Sequence, residues 1–313
     1  MARLVAAFGS SHSPMLASRI EDWQSGFLSR DQARQFVDLD GNACSYTELL
    51  ARAPSDALRR IAPEHLTRRH GEAMEAMARL RDDVAAARLD ALVVVGDDQE
   101  ELFQHDNMPA IGIYYGKTIR GRLPYQKEIV EADYPCHAPL ARHLIASLQQ
   151  DGFDLSVMRA LAEGKREGHA YSFVHRFYIA ERPVPIVPVF LNAYYPPNQP
   201  SPARCLALGQ AIRSAIEAFA GDARIGVMAS GGLSHFVVDE SFDRALLDAL
   251  RRKDAAFFRN APLAKLMSGS SEVRNWICMA GAVGPLEMVW SSYVPGYRTP
   301  ALSGTGLSFA SLR

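Results

Sequence analysis

His12 closes the run Phe8-Gly9-Ser10-Ser11-His12-Ser13-Pro14, just past the apolar stretch Leu4-Val5-Ala6-Ala7-Phe8. An imidazole on the lip of a buried strand is either a satisfied structural group or one offered to a pocket as metal ligand or proton carrier. Other polar groups fall at comparable places. Leu92–Val95 runs into Gly96-Asp97-Asp98-Gln99-Glu100-Glu101, Ile186–Leu191 ends at Asn192, and Ile225–Ala229 opens into Ser230-Gly231-Gly232-Leu233-Ser234-His235. Four acids in the five residues from Asp97 to Glu101 repel one another unless a cation or water relieves them. On a strand continuing to Gln99, that residue shares a face with Asp97 while Asp98 points away. Strand ends often break this alternation, so the inward residue is left open. The paired glycines before Ser234-His235 allow a sharp turn or a close approach to a ligand, and neither requires a histidine. Glu272 stands at the start of an expected helix, where the macrodipole alone would favour an acid. It gains interest because His12 and His235 otherwise lack a carboxylate partner.

The elements that must position these groups follow from the same runs. Leu4–Phe8, Leu92–Val95, Ile186–Leu191 and Ile225–Ala229 show no polar alternation, as expected of strands covered on both faces. Helical patterns lie between them, at roughly Pro54–Arg88, Ala138–Gln150, Pro202–Ala220 and Glu240–Asn260. Ser201-Pro202 reads as an N-cap with a first-turn proline, and Asp239 as the cap of the next helix. Alternation of this kind implies an α/β fold: a single-domain sandwich over residues 1–313, with a central mostly parallel or mixed sheet flanked by helices. Residues 17–53, with Trp23, Phe27, Phe36 and Tyr46, read as an irregular lid or oligomer contact, and Tyr194–Pro200 as an ordered loop that buries its aromatics. In open α/β sheets ligands bind outside the carboxyl ends of the strands. The polar strand ends are therefore expected to converge on one cleft, which is the reading of an enzyme.

The bulk properties exclude several other classes. The chain of 313 residues is 48% hydrophobic and 22% charged, with 34 basic against 35 acidic residues and a net charge of −1. It has no basic stripe interleaved with aromatics, so no nucleic-acid partner is expected. The four cysteines (Cys44, Cys136, Cys205, Cys278) form no CxxC pair, which argues against structural zinc and a disulfide framework. No apolar run approaches the ~20 residues needed to span a bilayer, and Met1-Ala2-Arg3-Leu4 enters a strand without a signal-peptide layout. A soluble, cytoplasmic protein with no membrane partner is the expectation. Among the remaining histidines, His65, His70, His105 and His143 lie in helical or strongly polar stretches, His137 and His169 in loops, and His175 reads as structural.

Four segments resemble the class III extradiol ring-cleaving dioxygenases, the superfamily typified by the catalytic subunit of protocatechuate 4,5-dioxygenase. Gly9–Pro14 is similar to the first metal-ligand motif, and Ser230–His235 to the motif of the catalytic histidine. Glu272-Val273-Arg274-Asn275-Trp276 is similar to the motif of the carboxylate ligand, and Tyr134–Ala141 to the segment of a second active-site histidine. The similarity runs in the family's order from residue 4 to about 310. Asp97-Asp98-Gln99 and Pro188–Asn192 look closest to the branch containing gallate and 3-O-methylgallate dioxygenases. One departure stands out: where the family pattern has an Asp-His pair, this chain has Asp98-Gln99.

The resemblance implies a metal-dependent extradiol dioxygenase that inserts O2 into a catecholic ring, or into a related ring such as a hydroxypyridone. It implies His12 and Glu272 as metal ligands, with Gln99 or Asp98 in the position of the second histidine. Asp97 swinging in, or a nitrogen from His105 or His70, are the other ways to complete the set. Fe(II) is the expected ion, with Mn(II) or another divalent metal as alternatives for a site richer in oxygen. His235 is expected to act as general base and then acid, and His137 to hydrogen-bond substrate or oxygen. His169, Ser11 and Ser234 are candidates for substrate contacts, and loop Arg or Lys residues for a substrate carboxylate. The expected partners are a small aromatic substrate, O2, and further copies of the chain in a homodimer or larger assembly. A metal-dependent hydrolase using the same pocket, and a binding protein without iron chemistry, are the competing readings.

Overall fold

The apolar runs marked as buried strands lie side by side. In the computed structural model, which describes residues 1–122 and 131–313, the central sheet comprises β1 (Arg3–Ser10), β2 (Ala91–Asp97), β3 (Ile111–Tyr114), β4 (Ser156–Met158), β5 (Ile186–Leu191), β6 (Arg224–Ser230), β7 (His235–Val237), β8 (Met288–Tyr297) and β9 (Ser303–Leu312). β1, β6, β2 and β5 are successive parallel neighbours. Their register places Ser10 opposite Ser230, Ala229 opposite Val95, and Asp97 opposite Leu191. All four carboxyl ends therefore reach one edge together. β3 runs antiparallel to β5, and β9 antiparallel to β1, so the sheet is mixed.

Both faces are covered, which is why the central strands are apolar without alternation. Six longer helices do most of the covering: α1 (Pro63–Ala86), α2 (Ala138–Gln150), α3 (His169–Phe177), α4 (Pro202–Ala218), α5 (Glu240–Arg252) and α6 (Val273–Ala282). Val93, Val95, Val227 and Ala229 face a core built with α2, α4, α5 and α6. Leu92, Val94, Phe8 and Met228 face the opposite core, built with α1 and α3. The expected caps are present: the Ser201 hydroxyl accepts from Arg204 N at 3.2 Å and the Asp239 carboxylate from Phe242 N at 3.1 Å.

Some boundaries differ from expectation for local reasons. The first helical pattern splits, because Pro63 begins a new helix after the short turn Ala57–Arg60. The pattern at 240–260 breaks at Lys253, whose φ of 56° ends α5 before the separate short helix Ala255–Arg259. Residues 17–53 are more regular than expected. They form the short helices Ile20–Ser25, Leu28–Gln32 and Tyr46–Ala51 and a hairpin pairing Gln35–Val37 with Ala43–Ser45. Phe36, Cys44, Tyr46 and Leu49 make a small core against Ala301 and Phe236.

The contact between α4 and α6 sets the position of Glu272, which directly precedes α6. It is close because both helices present glycine there: a Cβ on Gly209 would collide with the Cys278 carbonyl oxygen, and one on Gly281 with the Leu206 carbonyl oxygen. Gly209→Ala is therefore expected to push two backbones apart despite alanine's better helix propensity. Overpacking of this kind costs about 1–3 kcal/mol. A lowered denaturant midpoint checks this, and a neutral or stabilised variant would contradict the close approach.

Candidate metal centre and its cleft

The aligned strand ends deliver side chains into a cleft of about 450 Å³, within the ~300–1,000 Å³ range of small-molecule sites. His12 follows β1 and is only 2% exposed. Its Nδ1 lies 3.1 Å from the Ser230 hydroxyl, which in turn donates to the Ala170 carbonyl. The hydroxyl's one proton is thus committed, so Nδ1–H donates to the Ser230 oxygen and Nε2 faces the cleft with its lone pair. His12 Nε2 is 3.2 Å from His169 Nε2, 3.2 Å from Glu272 Oε2 and 3.9 Å from Asp97 Oδ1. His12, Asp97 and His169 each place one ligand atom within 4.8 Å of the others.

His169 completes the pair of imidazoles. It is the first residue of α3, after the cap Gly168, and its backbone N–H and Nδ1 both reach the Glu101 carboxylate, the ring at 2.8 Å. This is the carboxylate–imidazole arrangement that orients metal-ligating histidines. Burial disfavours the charged ring, but Glu101, Asp97 and Glu272 outweigh it and raise His169 to about 10.

The two carboxylates are held differently. Burial and the neighbouring Glu272 push the Asp97 carboxyl up, and Asn275 Nδ2 donates to its Oδ1 at 3.0 Å. Burial also opposes ionisation of Glu272, but His235, His12 and the Gly232 N–H at 2.7 Å pull its carboxyl well below the usual range. Tyr194 donates to Glu272 Oε1 at 2.7 Å. α6 locks the assembly through Asn275 Nδ2 to the Ser230 carbonyl and Trp276 Nε1 to the Gly231 carbonyl.

His235 lies beside this cluster, its Nε2 3.8 Å from Glu272 Oε2. Nδ1 faces the Leu233 carbonyl at 2.9 Å, and a carbonyl only accepts, so Nδ1 carries the proton and Nε2 is basic. Burial, opposed by Glu272, lowers the affinity of this imidazole for a second proton. Gly232 has no alternative residue here, because a Cβ would run into the His235 ring.

Several expected site residues lie elsewhere. Asp98 turns from the cluster and accepts from the Leu102 and Phe103 N–H groups, and burial pushes its carboxyl up to about 6. Gln99 reaches the cleft, but its amide NH2 lies 3.3 Å from both Asp97 Oδ2 and Glu272 Oε1, donating to carboxylates rather than offering an oxygen as ligand. His137 caps α2, its Nδ1 accepting from Leu140 N at 3.1 Å and its ring set edge-on against Phe219. Ser11 is sealed against β9 by bonds to Gly306 O and Ser308 N, and Ser234 is held by Asp243 and Asp239 N. Neither lines the cleft. His105 is exposed beside Glu100, and His70 packs edge-on to Trp23. Of the nitrogens considered for position 99, His169 Nε2 is the one that meets His12 and Asp97; the sequence places His169 among substrate contacts, and it does not single out Tyr194 as a site residue. The signal for Tyr194 was Asn192: its side chain bonds both backbone groups of Tyr195 and so sets the loop that aims Tyr194.

The fold and cleft are those of an α/β protein with a small-molecule site at the carboxyl ends of its parallel strands. The family described as the catalytic LigB subunit of aromatic ring-opening dioxygenase matches residues 60–307, and the chain belongs to it. Among curated proteins it is similar to a gallate dioxygenase of Pseudomonas putida, 33% identical over 162 residues, covering 47% of this chain and 46% of that protein. The chain thus spans about half the length of the curated relative it matches. Among solved structures, an uncharacterized protein of Escherichia coli K12 aligns with a TM-score of 0.47 and 15% identity, over 75% of this chain and 92% of that one. No helix among the described residues is long and apolar enough to cross a membrane.

Proposed function

We propose that this protein is a metal-dependent extradiol dioxygenase that opens a small aromatic diol with O2. The observation that carries the reading is the convergence of His12, His169 and Asp97 at a substrate-sized cleft, with Glu272 3.2 Å from His12 and His235 alongside. Two imidazoles with carboxylate oxygen form the donor set suited to non-haem Fe(II), and the second carboxylate also makes Mn(II) compatible. Facing ring nitrogens and buried carboxylates fit a divalent cation better than they fit one another. When bound, such an ion supplies the path by which electron density leaves the ring for dioxygen.

The chain's own residues do the rest. His235 Nε2 takes a proton from a ring hydroxyl and later returns it, a task suited to a neutral imidazole. Leu233 O holds its tautomer throughout. Tyr194 and Gln99 keep Glu272 oriented, while Phe236 and Tyr195 supply apolar wall for a ring. Both oxygen atoms enter the ring-opened acid, so the reaction needs no external reductant.

The test is oxygen uptake by Fe(II)-reconstituted protein against a panel of catechols, gallate and hydroxypyridones. O2 consumption equal to ring loss is expected, with His235→Ala retaining metal but losing turnover. Turnover under argon would instead identify a hydrolase, and no turnover with any ring diol would refute the reading.

A further inference from the structure

Asp243, in the first turn of α5, is a fully buried acid outside the cleft, and the chemistry described so far does not use it. Three donors meet its carboxylate. Oδ1 accepts from the Ser234 N–H at 2.9 Å, and Oδ2 from the Ser234 hydroxyl at 2.5 Å and from the Tyr293 hydroxyl of β8 at 2.8 Å. β9 makes room for the group with Gly306, where a Cβ would run into Oδ2. The charged side chains around it are already engaged: Lys265 pairs with Asp239 at 2.8 Å, and Arg244 with Glu240 at 3.2 Å, while the Tyr297 hydroxyl donates to Glu240 at 2.6 Å. Burial pushes the Asp243 carboxyl up to about 7, and its three donors pull the other way. Three donors call for an ionised carboxylate, since an asparagine would turn its NH2 group onto one of them. An ion held in the interior without a cation is costly. Costly titratable groups of this kind cluster at functional sites.

The group that Asp243 grips is the peptide joining Leu233 to Ser234. The N–H of that peptide goes to Asp243, and its carbonyl, Leu233 O, faces His235 Nδ1 at 2.9 Å. In a trans peptide the two lie in one plane and point opposite ways, so fixing the N–H aims the carbonyl. A charged acceptor on the N–H also polarises the carbonyl, as along any chain of hydrogen bonds in a low dielectric. The rest of the turn is pinned independently: Gly306 N donates to Ser234 O at 2.9 Å, and His235 N to the Ser270 hydroxyl at 2.7 Å.

We propose that Asp243 is a positioning residue that acts on His235 through the Leu233–Ser234 peptide, holding the imidazole as the Nδ1–H tautomer with Nε2 basic. The inference rests on the proposed role of His235 and adds to it the buried acid behind that residue. The arrangement is that of a carboxylate backing a catalytic imidazole, with one peptide group set between them.

The test reads the tautomer from the imidazole 15N shifts of Zn(II)-loaded protein at about pH 8.5, the His235 signal being assigned by its loss in His235→Ala. Turnover of a ring diol by Fe(II)-loaded protein at the same pH gives kcat and KM. Wild type should hold the Nδ1–H form. Asp243→Asn, close in volume, should shift the ring toward the Nε2–H form and lower kcat about tenfold to a hundredfold, the worth of a hydrogen bond to a charged group. KM and metal content should not change. Tyr293→Phe takes a donor from Oδ2 but leaves the Ser234 N–H on Oδ1, so it should keep both the tautomer and kcat. Wild type taken from about pH 8.5 to about pH 6 gives the same contrast without a substitution: Asp243 gains a proton, and the Nδ1–H share of the neutral ring should fall. A tautomer unmoved by Asp243→Asn, or by acidification should that variant not fold, would overturn the proposal. So would metal lost along with turnover in Asp243→Asn, or an Nε2–H ring in wild type. A tautomer that follows Asp243 in a protein that turns over no ring diol would leave the positioning role standing and overturn the dioxygenase reading.

Discussion

Replacing His169 with alanine is expected to cost this protein its metal. The imidazole stands 3.2 Å from His12, and its Nδ1 is turned toward Glu101, which leaves Nε2 as the atom offered to a cation. Loss of an outer partner of a metal-binding histidine typically costs 10–100-fold in affinity. Removal of the donor itself should exceed that, giving a fall of at least about 100-fold in competition against a chelator and a near-empty protein by elemental analysis. Glu101→Ala should fall within the smaller range, because it disturbs orientation rather than a donor. The decisive contrast is with His137→Ala and Gln99→Ala. His137 caps α2, so its loss should cost about 1 kcal/mol of stability and no metal. Gln99 donates to the two carboxylates, so its loss should loosen their positions without emptying the site. If Gln99→Ala emptied the site and His169→Ala did not, the amide would be the ligand and the assignment would be reversed.

That contrast also shows what the sequence could and could not disclose. The parallel core was legible because β1, β2, β5 and β6 are buried on both faces, and such strands have nothing polar to confuse the pattern. His12, His235 and Glu272 were legible as cleft residues because each sits directly beside an element end, where sequence position and spatial position nearly coincide. His169 was legible only as a candidate substrate contact and not as the neighbour of His12, because its place depends on where α3 starts relative to β2, some 70 residues earlier. No local pattern encodes that distance. Gln99 misled for the converse reason: it occupies the right strand end, but its amide is engaged by the carboxylates it stands between. The carboxyl-terminal ribbon was also opaque. β9 is rich in Gly, Ser and Thr, yet wholly buried, since small residues are needed where β8, β7 and β1 all pack against it. Composition of that kind reads as loop until its partners are known. Segment 17–53 reads as a unit, but its order depends on Asp31, whose partners lie more than 260 residues away.

Asp31→Ala is therefore expected to give the largest stability loss of any single substitution in segment 17–53. The Asp31 side chain is fully buried in the short helix Leu28–Gln32, and Arg298, at the end of β8, is only 5% exposed. The two form a bidentate pair reinforced by Ser303, whose hydroxyl also meets that of Thr299 at 2.5 Å. Removing the acid leaves Arg298 buried without its counterion, beside Arg34, whose charge Asp31 also supports. Breaking a buried pair from one side costs about 3–5 kcal/mol, because the surviving charge stays desolvated. The expected readout is a denaturant midpoint lowered accordingly at unchanged slope. The double variant Asp31→Leu with Arg298→Met should recover most of the loss, since a hydrophobic pair of similar volume avoids the desolvation altogether. A single variant as stable as wild type would mean that water reaches Arg298 and that segment 17–53 is held by Phe27, Phe36 and Trp23 instead.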